Sequence, residues 1–156
     1  MDPNAIFKAA TIIAIAAWLM LAIVPNWRFT RTIVMSGGIT ILFAVVYAVL
    51  IAMFYGPSDG GFTSLDSVVK LFSSEWTVLA AWMHFLAFDL FIGTWIVKDA
   101  ERRSIPHIWV IPCLVFTFLL GPLGFLIYFI FCIVAGKQGP NSTTLDKNGD
   151  DTSSQK

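Results

Sequence analysis

The sequence predicts an all-α integral membrane protein, a four-transmembrane-helix bundle with a short interfacial helix before the third span. Three observations carry this. Hydrophobic residues make up 57% of the 156-residue chain and charged ones 13%, and the mean hydropathy is +0.77, far from the balance of a soluble domain. The apolar residues fall into four runs, each long enough for a hydrocarbon core of about 30 Å. Those runs are apolar on every face, which a helix on a soluble core is not. The formal net charge of zero gives no basic surface for nucleic acid and no acidic one for a cationic partner, so the expected surroundings are the lipid bilayer.

The first span covers 6–24, interrupted only by Lys8, whose long side chain reaches the headgroups from near the helix start. Met1 to Ala5 holds no basic run, so this reads as a retained helix rather than a cleaved signal. Pro25 and Asn26 end it, and Trp27, Arg28 and Arg31 form an aromatic and cationic connection suited to a membrane interface. The second span, 32–55, is uncharged; Gly37 and Gly38 are expected to let another helix approach closely. After the turn-rich stretch Gly56 to Ser64, Leu65, Val68, Val69 and Phe72 share one helical face, which predicts a short helix on the bilayer surface.

The third span, 76–97, is preceded by Ser73 and Ser74 as caps and by Glu75, favoured in a first helical turn. The fourth, 108–135, is uncharged and longer than a crossing needs, so it is expected to tilt or kink, with Pro112 and Pro122 as the places. Residues 1–136 thus form one transmembrane domain, and the polar tail 137–156 is expected to be disordered. Asn141-Ser142-Thr143 matches a glycosylation acceptor but adjoins the membrane, and it is read as a chance match. Four crossings put both termini on one side. Arg28, Arg31, Lys98, Arg102 and Arg103 gather at the other end, against Lys8, Lys70 and Lys137, so both termini are expected on the non-cytoplasmic side. Cys113 and Cys132, read as one helix, would lie about 28 Å apart and could not bond to each other.

The chain is organised around Glu75 to Arg103, because this run is apolar enough to cross the bilayer yet carries His84 and Asp89 within it. An aspartate near the centre of a spanning helix costs roughly 2.5–3.5 kcal/mol. Such a residue needs a partner, a proton or a task. At about 100° per residue Asp89 lies some 140° around the helix from His84 and shares a face with Trp82, Gly93 and Ile96. Trp95 and Asp99 fall near the His84 stripe. No His or Cys pair has ligand spacing, so no metal is expected. No nucleophile–base pair or glycine-rich phosphate loop is present, and no cofactor is expected. The residues by themselves describe an intramembrane acid/base site in an aromatic-lined bundle, of open reaction class.

The run HFLAFDLFIGTWIVKDAERRSIPH followed by PCLVFTFLLGPLGFLIYFI resembles the abscisic-acid-deficient-4-like family of small integral membrane proteins, whose plant members are associated with neoxanthin synthesis in plastids. The resemblance covers roughly residues 76–131 and extends weakly over the two earlier spans. It rests on His84, Asp89-Leu90, Gly93, Trp95, Asp99, the proline-led fourth span and Gly121-Pro122-Leu123-Gly124. It implies a carotenoid-modifying enzyme, isomerase-like, that turns an epoxy end group into an allene without redox chemistry. Asp89 would then be the acid, His84 the base and Asp99 an orienting partner, a carboxylic acid kept neutral by an apolar setting being a suitable proton donor. Trp76, Trp82, Phe85, Phe88, Phe91 and Trp95, with Gly93 and the Gly121-Pro122 approach, would line a groove for the apolar carotenoid or isoprenoid substrate, at the lipid face or at a homo-oligomer interface. The chain begins without a plastid transit-type leader, from which a bacterial or otherwise non-plastid member is expected, in an inner or plasma membrane. Competing readings are a non-catalytic carotenoid- or lipid-binding accessory protein, a proton-coupled transporter, and a carotenoid cleavage oxygenase, for which two histidines are few.

Overall fold

The computed structural model describes residues 2–54 and 60–135; Met1, residues 55–59 and residues 136–156, with the polar tail expected to be disordered, lie outside the described residues. Among the described residues all regular structure is helical. The order is α1 (Pro3–Ile23), a π-helical turn (Thr30–Val34), α2 (Gly38–Phe54), α3 (Leu65–Leu71), α4 (Glu75–Arg102), α5 (His107–Leu120) and α6 (Pro122–Val134). α4 is the axis of the molecule and touches α1, α2, α5 and α6.

Three stretches are long and apolar enough to cross a membrane: Pro3–Ile23, Thr30–Phe54 and Glu75–Arg102. Their outward faces are apolar, with Ile12, Ile41, Met53 and Phe91 among the exposed side chains, as hydrocarbon surroundings require. α1 starts on an Asp2 cap, whose Oδ1 accepts from the Asn4 N–H at 2.9 Å, with Pro at the helix start. At its other end the Ala22 carbonyl, one of the orphans of a helix terminus, accepts from His107 Nε2 at 2.9 Å.

The glycines expected to let a helix approach do something else. Gly37 adopts φ +89°, and a Cβ there would meet nothing. It is the backbone break between the π-helical turn, closed by Met35 N–H on the Thr30 carbonyl at 2.8 Å, and α2. α3 forms where the apolar period placed it, capped by Ser64. It buries Leu71, on whose backbone Gly60 lies, while Leu65, Val69 and Phe72 face outward, as a helix lying on a bilayer surface would have them.

The expected fourth span is not one helix. The chain runs through Pro112 and breaks at Gly121, with φ +51° and ψ −103°, a conformation open to glycine, and Pro122 then starts α6. The two helices are antiparallel. A Cβ on Gly124 would run into the Thr117 backbone nitrogen and the Cys113 carbonyl, and Trp109 stacks on Phe131 with ring centroids 6.3 Å apart. At 14 and 13 residues each is about 20 Å long, short of a 30 Å core. They form a hairpin that enters the bundle beside the end of α4 and returns to that end.

Two expectations fall with this. Val134 ends beside the start of α5 rather than across the bundle, so the described chain does not finish on the side where α1 begins. Cys113 and Cys132 are both buried, on the two antiparallel helices of the hairpin rather than a helix length apart on one.

Candidate functional site

Asp89 sits at the midpoint of α4, about 20 Å from either end, where the tip of the α5–α6 hairpin meets it. A Cβ on Gly121 would lie 3.0 Å from Asp89 Oδ1. Only a glycine with this φ lets the hairpin turn so close to the carboxyl. Asp89 Oδ2 is buried and makes no hydrogen bond to any described residue. The other buried side-chain oxygens in that condition are hydroxyls, Thr40 and Thr94 Oγ1, so Asp89 is the carboxyl among them. A buried polar group without a partner is costly, and its presence needs a reason.

Asp99, ten residues on, is provided for. Tyr128 from α6 donates its O–H to Asp99 Oδ2 at 2.8 Å, and Arg103 Nε donates to the same oxygen at 2.6 Å. Trp95 meets the Tyr128 ring edge-on at 6.1 Å. Trp95, Asp99 and Arg103 are spaced by four and therefore share an α4 face, and one tyrosine of the hairpin engages that face. The bond to Asp99 also raises the Arg103 guanidinium above its ordinary range.

His84 is not brought to either carboxylate. It lies exposed on the lipid side of α4, its ring 4.6 Å from Phe88 and 5.4 Å from Tyr47. Five residues separate it from Asp89, about 140° of helix, and the backbone of α4 stands between their faces. The structure therefore divides the proposed groove residues. Trp82 and Phe85 share Asp89's face and stack on each other at 5.7 Å, while Phe88 faces outward with His84 and Trp95 packs on Phe125 and Tyr128 of the hairpin. Trp82 also donates Nε1–H to Thr11 Oγ1 at 3.3 Å, which ties α4 to α1. Gly93 is covered by α1: a Cβ there would be 2.6 Å from the Trp18 ring, so this glycine lets two helices close. Gly121 and Pro122 form the hairpin tip. Trp76 is spent at the far end of α4, stacked on Phe54 at 4.0 Å.

Tyr128 and Arg103 are the partners that reading the sequence missed. Tyr128 looked like one more aromatic in an apolar run, and Arg103 like a headgroup anchor. The available signal was the spacing of four from Trp95 through Asp99 to Arg103. Among the described residues no three His, Cys, Asp or Glu side chains gather as a metal site.

Comparison with known proteins places these residues in context. The chain is 24% identical over 144 residues to Protein ABA DEFICIENT 4, chloroplastic, of Arabidopsis thaliana, an alignment covering 86% of this chain and 64% of the relative. The chain thus spans a little under two thirds of that relative's length. The relative is a chloroplast protein, which runs against the expectation of a bacterial membrane. No solved structure matches. The model of the ABA DEFICIENT 4-like family matches residues 5–128, and with that span, which takes in Asp89, the Gly121 tip and Tyr128, the chain belongs to this family.

Proposed function

We propose that this protein isomerises an oxygenated carotenoid end group inside the membrane, in the manner of neoxanthin formation, with Asp89 as the reacting acid and base. The observation that carries the reading is the buried, unpartnered Oδ2 of Asp89 halfway along a membrane-crossing helix. An ionisable group in that position marks a site by default.

One carboxyl suffices. Asp89 gives its proton to the epoxide oxygen; the C6–O bond breaks with its electron pair passing to that oxygen, and the positive charge left on C6 spreads along the polyene. The carboxylate then takes the neighbouring vinylic proton, whose C–H electrons form the new C6=C7 bond of the allene. The oxygen stays on C5 as a hydroxyl, Asp89 ends as it began, and nothing is oxidised or reduced. The apolar surroundings hold water away from the cation. His84, on the opposite face, has no part in this sequence. Asp99, bonded to Tyr128 and Arg103, holds the hairpin whose tip closes on Asp89. The cationic end of the bundle, with Arg28, Arg31, Lys98, Arg102 and Arg103, is the cytoplasmic or stromal face in this reading.

The test is a pigment profile. Cells accumulating violaxanthin, and others accumulating zeaxanthin or β-carotene, express the chain or Asp89→Asn, and extracts are separated by chromatography. A new allenic product from violaxanthin that disappears in Asp89→Asn is expected. An unchanged profile, with the protein present in the membrane, would sink the enzyme reading and leave pigment binding.

A further inference from the structure

A cavity of about 500 Å³ lies at the end of the bundle where α4 finishes, and its lining begins on that helix at Val97, about two turns beyond Asp89. Two long-range ties bracket it. His107 at the start of α5 donates Nε2–H to the Ala22 carbonyl of α1, and Arg31 of the π-helical turn bonds Glu101 in the last turn of α4 at 3.0 Å. Between the ties the floor is apolar, with Val97 and Val110 buried, and the rim is polar, formed by Asn26, Arg31, Glu101 and His107. The Arg31 and Glu101 side chains are 53% and 40% exposed, so the rim is within reach of the headgroup layer. An ion pair so exposed adds little to stability. This one is nevertheless held in place by a further bond from Arg31 Nη2 to Asn26 Oδ1 at 2.9 Å.

We infer that this cavity seats an uncharged, polyhydroxylated headgroup, the sugar of a membrane glycolipid. The lining decides the class. A basic pocket between spanning helices would select an anionic headgroup. Here the cation and the carboxylate stand side by side, so an anion meets Glu101 and a cation meets Arg31 at close range. A zwitterion would have to compete for both members of a pair that already satisfies itself. Hydroxyls meet neither objection, because each one donates and accepts. Arg31 Nη2 is taken by Asn26 and Glu101, which leaves Nε and Nη1 as donors. Glu101 Oε2 and, in a neutral ring, His107 Nδ1 are left as acceptors, and none of these atoms bonds to a described residue. Donors and acceptors fixed beside one another suit the adjacent hydroxyls of a sugar ring, whose C–H faces can rest on the apolar floor. The lipid source follows from depth. The cavity is level with the helix ends where Arg28, Lys98 and Arg102 gather, which is the level of the headgroups. Ile23 and Ile108, each next to one end of the His107 tie, are exposed and offer apolar surface to acyl chains.

The site is separate from Asp89, so its test needs no pigment. The full chain, purified in detergent, is mixed in turn with micelles carrying monogalactosyl diacylglycerol, phosphatidylethanolamine or phosphatidylglycerol of the same acyl chains. Bound lipid is counted by native mass spectrometry. Retention of the glycolipid is expected to exceed that of either phospholipid at least tenfold. It is expected to fall at least tenfold in Arg31→Ala, in Glu101→Ala and in Asn26→Trp, which enlarges an exposed side chain into the cavity. Should either alanine variant melt early, Asn26→Trp decides alone, because it changes nothing buried. Lys98→Ala, an exposed cation at the same end but outside the lining, is expected to keep full retention. No retention, equal retention of the three lipids, or preference for a phospholipid each overturns the inference. So does a loss in Lys98→Ala as deep as in Arg31→Ala, which would mean charge alone, or undiminished retention in Asn26→Trp, which would put the lipid elsewhere. Displacement of the glycolipid by methyl galactoside at equal concentration would overturn the lipid source and make the occupant a free sugar.

Discussion

The two carboxylates of α4 have opposite surroundings. Asp99, near the helix end, receives two donors on one oxygen, from Tyr128 and Arg103. Asp89, at the centre, has a buried oxygen that receives none. The group with partners lies where water and headgroups would have softened the cost of having none, and the group without them lies where that cost is highest. Stability alone would arrange the two the other way. The difference teaches that the hydrogen bonds at Asp99 fasten α6 to α4, whereas under the proposed function the bare carboxyl of Asp89 is kept for the reaction.

The sharpest way to break this comparison is to neutralise each carboxylate in turn. Asp89→Asn keeps the shape and removes the transferable proton, and product formation is expected to fall by about 100- to 10,000-fold, the range for losing a general acid or base. Asp99→Asn is expected to leave measurable conversion, since only the tether is weakened. Pigment chromatography on membranes matched for inserted protein decides it. A larger loss from Asp99→Asn than from Asp89→Asn would exchange the two roles.

The next effect tests whether the hairpin is what presents Gly121 to Asp89. At Gly124 a side chain meets backbone of α5, at Thr117 and Cys113, and backbone has little room to yield. Gly124→Leu is expected to destabilise the hairpin by about 3 kcal/mol, the upper part of the overpacking range. The expected readout is a lower melting temperature in detergent, with faster amide exchange in 107–134 than in α1 and α2. Uniform exchange across all helices would mean that the hairpin does not unfasten as a unit.

Tyr128→Phe removes one hydroxyl and leaves the ring against Trp95. A hydrogen bond to a charged acceptor contributes about 1.5–3 kcal/mol, so a smaller loss of melting temperature than in Gly124→Leu is expected. Product formation should drop only as far as the tip loosens. If Tyr128→Phe instead matches Asp89→Asn in lost product at full stability, the tyrosine belongs to the chemistry.

How far this was legible beforehand depends on whether the deciding contact was local. The three crossing helices follow from run length and composition, and Asp89's face with Trp82, Gly93 and Ile96 follows from helical angle alone. The family follows from polar residues set at fixed distances. The hairpin was not legible, because Gly121-Pro122 marks a kink and a reversal alike. What separates them is Gly124 lying on the backbone at Thr117 and Cys113, a packing contact without a local pattern. Tyr128 was hidden for the same reason: its meaning comes from Asp99, 29 residues away, and only a reversed α6 brings them together. Gly37 misled in the other direction, a glycine needed for its φ of +89° having the same spelling as one needed for close approach.

The smallest expected effect is at His84, and it bears on the comparison by absence. A histidine five residues from an intramembrane aspartate invites an acid–base pair, but helical geometry puts the two on different faces, and the His84 ring spends its contacts on Tyr47 and Phe88 toward lipid. His84→Ala is expected to change product formation by less than threefold and stability by no more than about 0.5 kcal/mol, as for a surface substitution. A loss as deep as that of Asp89→Asn would mean that a substrate bridges both faces of α4. That requires the end group to wrap the helix between α2 and α6 rather than lie beneath the hairpin tip, and the lipid-facing His84 and Phe88, leading to Trp95 at the hairpin, would then be the groove.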